Sequence, residues 1–113
     1  MSDSCIFCRI ARGEIPASRV AENDVALAFR DTNPQAPVHV LVVPKAHVAD
    51  VVTLPSVAGL WNRMLELALQ VATIEGLSAG FRLVVNHGVD GGRTVDHVHI
   101  HVLGGRALRW PPG

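Results

Sequence analysis

His97-Val98-His99-Ile100-His101-Val102-Leu103 is the most informative stretch of this 113-residue chain. Histidines alternate with apolar residues, and side chains on a β-strand point alternately to its two faces. We therefore predict a strand over residues 95–103, with three imidazoles on one face and apolar side chains in the core on the other. An exposed strand that carries histidines by chance is the alternative, but three of the six histidines fall at this strict spacing.

The three imidazoles point to chemistry at phosphorus or at a metal ion. Successive members stand about 7 Å apart along a strand, so neighbours can share one ligand but all three cannot meet at one atom. Imidazole is a nucleophile at neutral pH when one nitrogen keeps its lone pair and the other donates to a fixed acceptor. Phosphorus is a natural target for such a group.

The connection before this strand, residues 87–94, is rich in glycine and follows Asn86. Gly88, Gly91 and Gly92 allow the backbone to approach an anion closely, while Asn86 and Thr94 add hydrogen-bonding side chains at its ends. A tight turn at residues 90–91 is the alternative. We expect a phosphate to lie against this loop.

A long amphipathic helix is predicted over residues 55–75, with a stop at Gly76. Its polar side chains fall opposite an apolar stripe. The stripe consists of Val57, Leu60, Trp61, Met64, Leu67, Ala68, Val71 and Ile74.

The rest of the pattern predicts a short first helix and further strands. The helix covers residues 5–12 and ends at Gly13. The strands cover residues 18–22, 25–30, 38–43, 81–86 and 95–103. We therefore expect a single domain over residues 1–113, with an α+β architecture in which one long and one short helix pack on a mostly antiparallel five-stranded sheet.

Composition excludes several classes of protein. Ten basic residues balance ten acidic ones, and nine of the basic residues are scattered arginines, so no basic stripe could follow a nucleic acid backbone. No apolar run approaches the roughly 20 residues that span a bilayer. Residues 1–5 lack the features of an export signal, so we expect a cytoplasmic protein. The positive mean hydropathy of +0.29 favours self-association.

Cys5 and Cys8 have the spacing of half a tetrahedral metal site. Two cysteines that fill core space are the alternative. A redox pair is disfavoured, because no parallel βαβ pattern follows the motif.

Taken together, these motifs resemble the histidine-triad superfamily, and the chain is similar to its Hint branch of purine nucleoside phosphoramidases nearly end to end. The pattern from His97 to Leu103 carries the resemblance first. The other shared stretches are residues 5–8, 14–16, 31–37, 43–47, 86–92, 103–106 and 110–113. The resemblance implies a homodimer in which each subunit binds a purine nucleoside monophosphate on its sheet.

The resemblance also assigns roles to the histidines. His99 is the implied nucleophile at the α-phosphorus, and His101 is implied to hold the phosphate oxygens. His39 is implied to belong to the supporting hydrogen-bond network. The resemblance also implies residues that contact the nucleotide. Asp31 is implied to accept from the ribose hydroxyls, and Phe29 and Thr32 are implied to line the nucleoside pocket. The residues implied to lie near the phosphate are Asn86, Gly92 and Thr94, of which Thr94 lies beside the departing group.

The implied reaction is cleavage of the P–N bond of purine nucleoside 5'-phosphoramidates, such as AMP-NH2 or AMP-lysine, through a nucleotidyl-histidine that water hydrolyses to AMP or GMP. Three alternatives stay open. One is a dinucleotide polyphosphate hydrolase or nucleotidyltransferase of the same superfamily. Another is a metallohydrolase in which His97, His99 and another imidazole hold a catalytic zinc with an open position. The third is a non-enzymatic nucleotide-binding regulatory protein.

The zinc-bearing relatives that the chain resembles imply a structural zinc ion. They imply that His47 and His97 complete a Cys2His2 set with Cys5 and Cys8. Such a set is closed and holds no water for catalysis. His97 would then serve the metal and leave the other two histidines of the strand to the phosphate.

Three residues depart from the pattern of the best-known relatives on the leaving-group side. Arg93 stands where those relatives have glutamine, Asp96 where they have tyrosine, and His87 where they have an acid. Leaving-group preference is therefore open among phosphoramidates, nucleotidyl sulfates and dinucleotide polyphosphates. Trp110 is either an anchor on the chain's own surface or, as the resemblance implies, part of a segment that reaches the partner's active site.

Overall fold

The structure is a computed structural model that describes residues 4–113. The part of the export-signal expectation that rests on residues 1–3 lies outside the described residues. In the described part of the chain, two α-helices, a 3-10 turn at residues 54–56 and five strands follow one another. They are α1 (Ile6–Ala11), β1 (Arg19–Glu22), β2 (Ala26–Arg30), β3 (Val38–Pro44), the 3-10 turn (Leu54–Ser56), α2 (Leu60–Ile74), β4 (Phe81–Val84) and β5 (Ile100–Gly104).

All five strands form one antiparallel sheet in the order β1-β2-β3-β5-β4. This confirms the predicted α+β architecture with one long and one short helix. β3 lies in the centre and pairs His39 with Leu103 and Leu41 with His101. The two central strands therefore bring histidines from distant parts of the chain to one face of the sheet.

Helix α2 covers one face of the sheet and begins later than predicted. Gly59 precedes it in the left-handed region, and Pro55 belongs to the separate 3-10 turn. Val57 therefore lies outside the helix. Trp61 and Ile74 lie at the margins of the apolar stripe and are exposed. The prediction that these three residues belong to the buried face of the helix was wrong. The residues of α2 that pack on the sheet are Leu60, Met64, Leu67, Ala68, Val71 and Ala72.

Strand β5 begins at Ile100, five residues later than predicted. Val42 pairs with Ile100, so Pro44 would come opposite Val98, and proline has no N–H for a sheet hydrogen bond. The Val98 N–H instead donates to the Val48 carbonyl at 2.7 Å. His97 and His99 thus precede the strand, yet the predicted alternation holds, because Val98 and Ile100 lie in the core cluster against α2.

The second face of the sheet carries α1 and the histidines. A smaller apolar cluster packs here, built around Phe7, Phe29 and Leu41. The Arg19 guanidinium donates to the Ile10 carbonyl at 3.0 Å and ties α1 to the first strand. Strand β4 ends at Val84, two residues earlier than predicted. Among the described residues, no helix is long and apolar enough to cross a membrane.

Candidate active site

A cavity of about 380 Å³ opens on the histidine-bearing face of the sheet. It brings together six of the predicted site residues: Phe29, Asp31, Thr32, Thr94, His99 and His101. The other lining residues were not among the predicted contacts; they are Ile6, Phe7, Pro16, Ala17, Ser18, Arg30, Leu41 and Val95. Most of these lie on α1 and the loop after it, and apolar side chains such as those of Ile6 and Phe7 carry no reactive group that would mark them in the sequence.

Backbone geometry fixes the protonation of His39. The Gln35 N–H donates to His39 Nδ1 at 3.0 Å, so this nitrogen carries the lone pair and Nε2 carries the proton of the neutral ring. His39 Nε2 lies 2.9 Å from His101 Nδ1 and 3.5 Å from a carboxylate oxygen of Asp31. His39 therefore donates to His101.

The same reasoning continues to His101. Its Nδ1 accepts from His39, so its proton lies on Nε2. That Nε2 atom is buried and, among the described residues, makes no hydrogen bond. A buried N–H without a partner is costly unless a ligand completes it. His101 therefore presents a fixed donor to whatever enters the cavity.

His99 has the opposite arrangement. Its Nδ1 lies 2.8 Å from the His97 carbonyl oxygen, which can only accept, so Nδ1 carries the proton. Its Nε2 consequently keeps the lone pair. The ring of Phe7 meets His99 edge-on with centroids 5.1 Å apart, and the His101 ring lies 4.9 Å away. A lone pair and an N–H donor thus stand side by side at the cavity.

Burial keeps these rings neutral. It lowers the pKa of His39 and of His99, and it lowers the pKa of His101 to about 4. The charge of Asp31 acts in the opposite direction on all three pKa values but is the smaller effect. Neutral imidazoles are the form that the hydrogen-bond chain requires.

The remaining predicted nucleotide contacts are distributed unevenly. Asp31 lines the cavity and accepts the Asn33 N–H at 2.8 Å on its other oxygen. Asn86 and Gly92 are not among the described residues that line this cavity. A Cβ on Gly91 would lie 2.2 Å from the His87 carbonyl oxygen, so the loop folds too tightly there for any other residue.

The four predicted metal ligands converge at the N-terminal end of α1. The candidate ligand atoms of Cys5, Cys8, His47 and His97 all lie within 4.8 Å of one another. His97 Nδ1 lies 3.3 Å from Cys5 Sγ and 3.4 Å from Cys8 Sγ, and His47 Nδ1 lies 3.2 Å from Cys8 Sγ.

The second nitrogen of His97 shows that this cluster fits a metal ion. Its Nε2 donates to the Pro44 carbonyl at 2.8 Å, so Nδ1 faces the two sulfurs with its lone pair. Metal-bound histidines commonly donate their other N–H to a carbonyl in this way. The donor set Cys2His2 is one that holds structural zinc.

Comparisons with known proteins identify the family of this chain. The family model for the HIT domain matches residues 12–108. The chain belongs to the HIT family. Its relatives include HINT1 of Arabidopsis thaliana, which supports assigning this HIT protein to the Hint-like branch of the family.

Three curated relatives cover nearly all of this HIT protein. An uncharacterized HIT-like protein of Synechococcus elongatus is 50% identical over the full length of both chains. The adenylylsulfatase HINT1 of Arabidopsis thaliana is 48% identical over 99% of this chain and 79% of its own. The 14 kDa zinc-binding protein of Zea mays is 45% identical over 96% of this chain and 87% of its own.

Solved structures share the fold throughout. A HIT family hydrolase from Legionella pneumophila is 47% identical, with a TM-score of 0.93, over 97% of this chain and 100% of its own. A zinc-bound histidine triad family protein from Mycobacterium smegmatis is 34% identical, with a TM-score of 0.82, over 94% of this chain and 78% of its own.

Proposed function

We propose that this HIT protein is a nucleotide hydrolase that cleaves purine nucleoside 5'-phosphoramidates through a nucleotidyl-His99 intermediate. The observation that carries the proposal is the protonation of two neighbouring imidazole rings. His99 keeps a lone pair on Nε2, and His101 offers an N–H that has no hydrogen-bond partner among the described residues. A nucleophile beside an oxyanion donor is the arrangement that displacement at phosphorus needs. The hydrolase named among its solved relatives supports the same class.

The proposed reaction has two displacements. In the first, His99 Nε2 forms a bond to the α-phosphorus while the P–N bond breaks. The departing amine keeps the electron pair of that bond and gains a proton from solvent water. In the second, water attacks the phosphorus and loses a proton to solvent, the bond to His99 breaks with its electrons returning to Nε2, and a nucleoside monophosphate leaves. The His101 N–H stabilises the phosphoryl oxygens in both steps.

The other cavity residues bind the nucleoside in this proposal. Asp31 accepts from the ribose hydroxyls, while Phe29 and Thr32 line the space for the base and sugar. Thr94 lies beside the phosphate and the leaving group. Asn86 and Gly92 contribute from the neighbouring loop.

We also propose that Cys5, Cys8, His47 and His97 hold one structural zinc ion, which would supply only a cross-link between α1 and the strands. The zinc-binding relative in Zea mays and the zinc-bound structure from Mycobacterium smegmatis support this. Residues 1–113 are proposed to form one HIT domain that works as a homodimer.

The test of the reaction is turnover of adenosine 5'-phosphoramidate by the wild-type chain and by His99→Ala. We expect a loss of at least about a thousandfold in kcat for the variant, since it lacks the nucleophile. Rapid quenching of the wild type should trap one nucleotidyl group per active site, detected by intact mass and localised to His99. A variant that keeps most of its activity would contradict the mechanism.

A nucleotidyl sulfatase is a second candidate, favoured by the adenylylsulfatase of Arabidopsis thaliana. It uses the same first displacement with sulfate as the leaving group. Adenosine 5'-phosphosulfate should therefore be assayed beside the phosphoramidate. The ratio of kcat/KM for the two substrates decides which leaving group the site prefers.

A further inference from the structure

A second cavity, of about 490 Å³, adjoins the first. Ile6, Thr94 and Val95 line both cavities, so the two are neighbours at these three residues. The walls that belong to the second cavity only are Ser4, Cys5, His47 and Asp96. Thr94 is also the residue proposed to lie beside the leaving group, so a leaving group larger than ammonia has a place to enter here.

The rim of the second cavity carries an ion-pair network. The Arg93 guanidinium lies 3.0 Å from an Asp96 oxygen and 4.0 Å from an Asp50 oxygen. Two carboxylates thus share one guanidinium, which leaves this group of three residues with a formal charge of −1. Arg93 and Asp96, two of the three residues that depart from the pattern of the best-known relatives, therefore form a direct ion pair at this rim.

The two carboxylates beside Arg93 differ in their exposure to solvent and in their hydrogen bonds. Asp50 accepts both the N–H and the hydroxyl of Thr53, each at 3.0 Å, and only about a quarter of its side chain is exposed. Asp96 is 80% exposed and pairs with Arg93 through one oxygen. Asp96 is therefore the negative group that a molecule in the second cavity meets first.

Resting on the proposed function, we propose that the second cavity is the leaving-group subsite and that Asp96 makes it selective for cationic amine leaving groups over anionic ones. Arg93 offsets only one of the two carboxylate charges beside it, so the group of Arg93, Asp50 and Asp96 keeps a net charge of −1. A positively charged chain end attached to the departing nitrogen gains an ion pair with Asp96. A sulfate, a carboxylate or a second nucleotide meets repulsion instead.

The test uses three AMP phosphoramidates that differ only at the end of the leaving amine. The amines are aminobutyl, hydroxybutyl and carboxypropyl, which end in an ammonium, a hydroxyl and a carboxylate. For the wild type we expect kcat/KM to be about three- to fivefold higher for the cationic than for the anionic substrate, the size of an exposed ion pair. Asp96→Asn should bring that ratio close to one, and Asp96→Lys should invert it.

The control variant is Asp90→Asn, which removes an exposed acid from the same loop without touching either cavity and should keep the wild-type ratio. Each ratio is taken within one variant, so a general loss of folded protein cancels. Equal kcat/KM for the three substrates in the wild type, or an unchanged ratio in both Asp96 variants, overturns the inference and leaves the proposed function standing. Failure of the wild type on all three substrates overturns the proposed function itself.

Discussion

His39 acts on the proposed reaction through a single hydrogen bond. Its Nε2–H holds His101 in the tautomer that exposes an N–H to the cavity. Replacement with leucine removes this donor and allows the His101 ring to place its proton on the wrong nitrogen. Glutamine is the matched control, because its side-chain amide can donate from a similar position.

We expect His39→Leu to lower kcat about tenfold or more on adenosine 5'-phosphoramidate, since one fixed donor to the phosphoryl oxygens is lost. KM should change little, because His39 does not line the cavity. His39→Gln should recover much of the loss in kcat. Equal activity of the two variants would mean that His39 is needed only for packing.

His101 also links stability to pH. Its pKa falls to about 4 in the folded chain because burial disfavours the charged ring, whereas the unfolded chain binds this proton near the ordinary value of 6.5. Between these two values the unfolded state holds more protons, so the free energy of unfolding decreases as the pH falls through that window. This part of the free energy of unfolding is fully present at pH values above the window and is lost at pH values below it.

We therefore expect His101→Gln to flatten the acid side of the stability profile by up to about 3 kcal/mol. The measurement is urea unfolding of both chains at a series of pH values from about 7 down to about 4. Metal loss at low pH is common to both chains and cancels in the difference. Parallel profiles would show that His101 does not titrate in this way.

Helix α1 is too short to be stable alone, since isolated helices need about 12 or more residues. It spans only Ile6–Ala11 and is joined to the sheet through the Cys5, Cys8, His47 and His97 cluster. The same helix carries Phe7, which contacts the His99 ring and lines the cavity of the proposed active site. A metal ion bound by this cluster, as proposed above, would therefore support one wall of that site.

Protein purified without added metal should contain about one zinc ion per chain, measured by elemental analysis. Removal of the ion by a chelator should lower the Tm, because the folded state loses a ligand that the unfolded chain binds weakly. In Cys8→Ser the Tm should start lower and respond little to the chelator. Protein that contains no zinc, with a Tm that the chelator leaves unchanged, would remove the metal from the proposal.

The strand that carries the histidines shows which features of this fold could be predicted from the sequence. Alternation in residues 97–103 predicted the shared face of the histidines, since period two is a property of side chains. It did not predict where pairing begins, because that depends on Pro44 across the sheet. The tautomer of His39 is fixed by the backbone N–H of Gln35, and a pattern of side chains in the sequence cannot predict a backbone hydrogen bond of this kind.

The whole molecule presents apolar side chains that the chain itself does not cover. Leu69 and Ile74 on α2 and Phe81 on β4 are each at least two-fifths exposed. β4 lies at the edge of the sheet, where unpaired backbone groups can join another strand. With no net charge to oppose association, this side of the molecule fits the homodimer proposed above.

The C-terminal segment lies along the same edge. The Arg82 guanidinium donates to the Arg109 carbonyl at 2.8 Å, which fixes the segment on β4, while Trp110 stays 81% exposed. A large exposed indole beside an edge strand is well placed to contact a second copy. We propose that two copies meet at this edge and that the segment of one reaches the substrate of the other.

Deleting residues 107–113 should then change the ratio of kcat/KM between adenosine 5'-phosphoramidate and the AMP-lysine conjugate, because only the larger leaving group can reach the segment. Trp110→Ala should reproduce most of that change, whereas Arg109→Ala, which keeps the carbonyl that binds Arg82, should not. Sedimentation of each variant shows whether it stays dimeric, so an effect on assembly is separated from one on specificity. If the truncated dimer keeps the wild-type ratio, Trp110 is an anchor on its own subunit and takes no part in choosing the substrate.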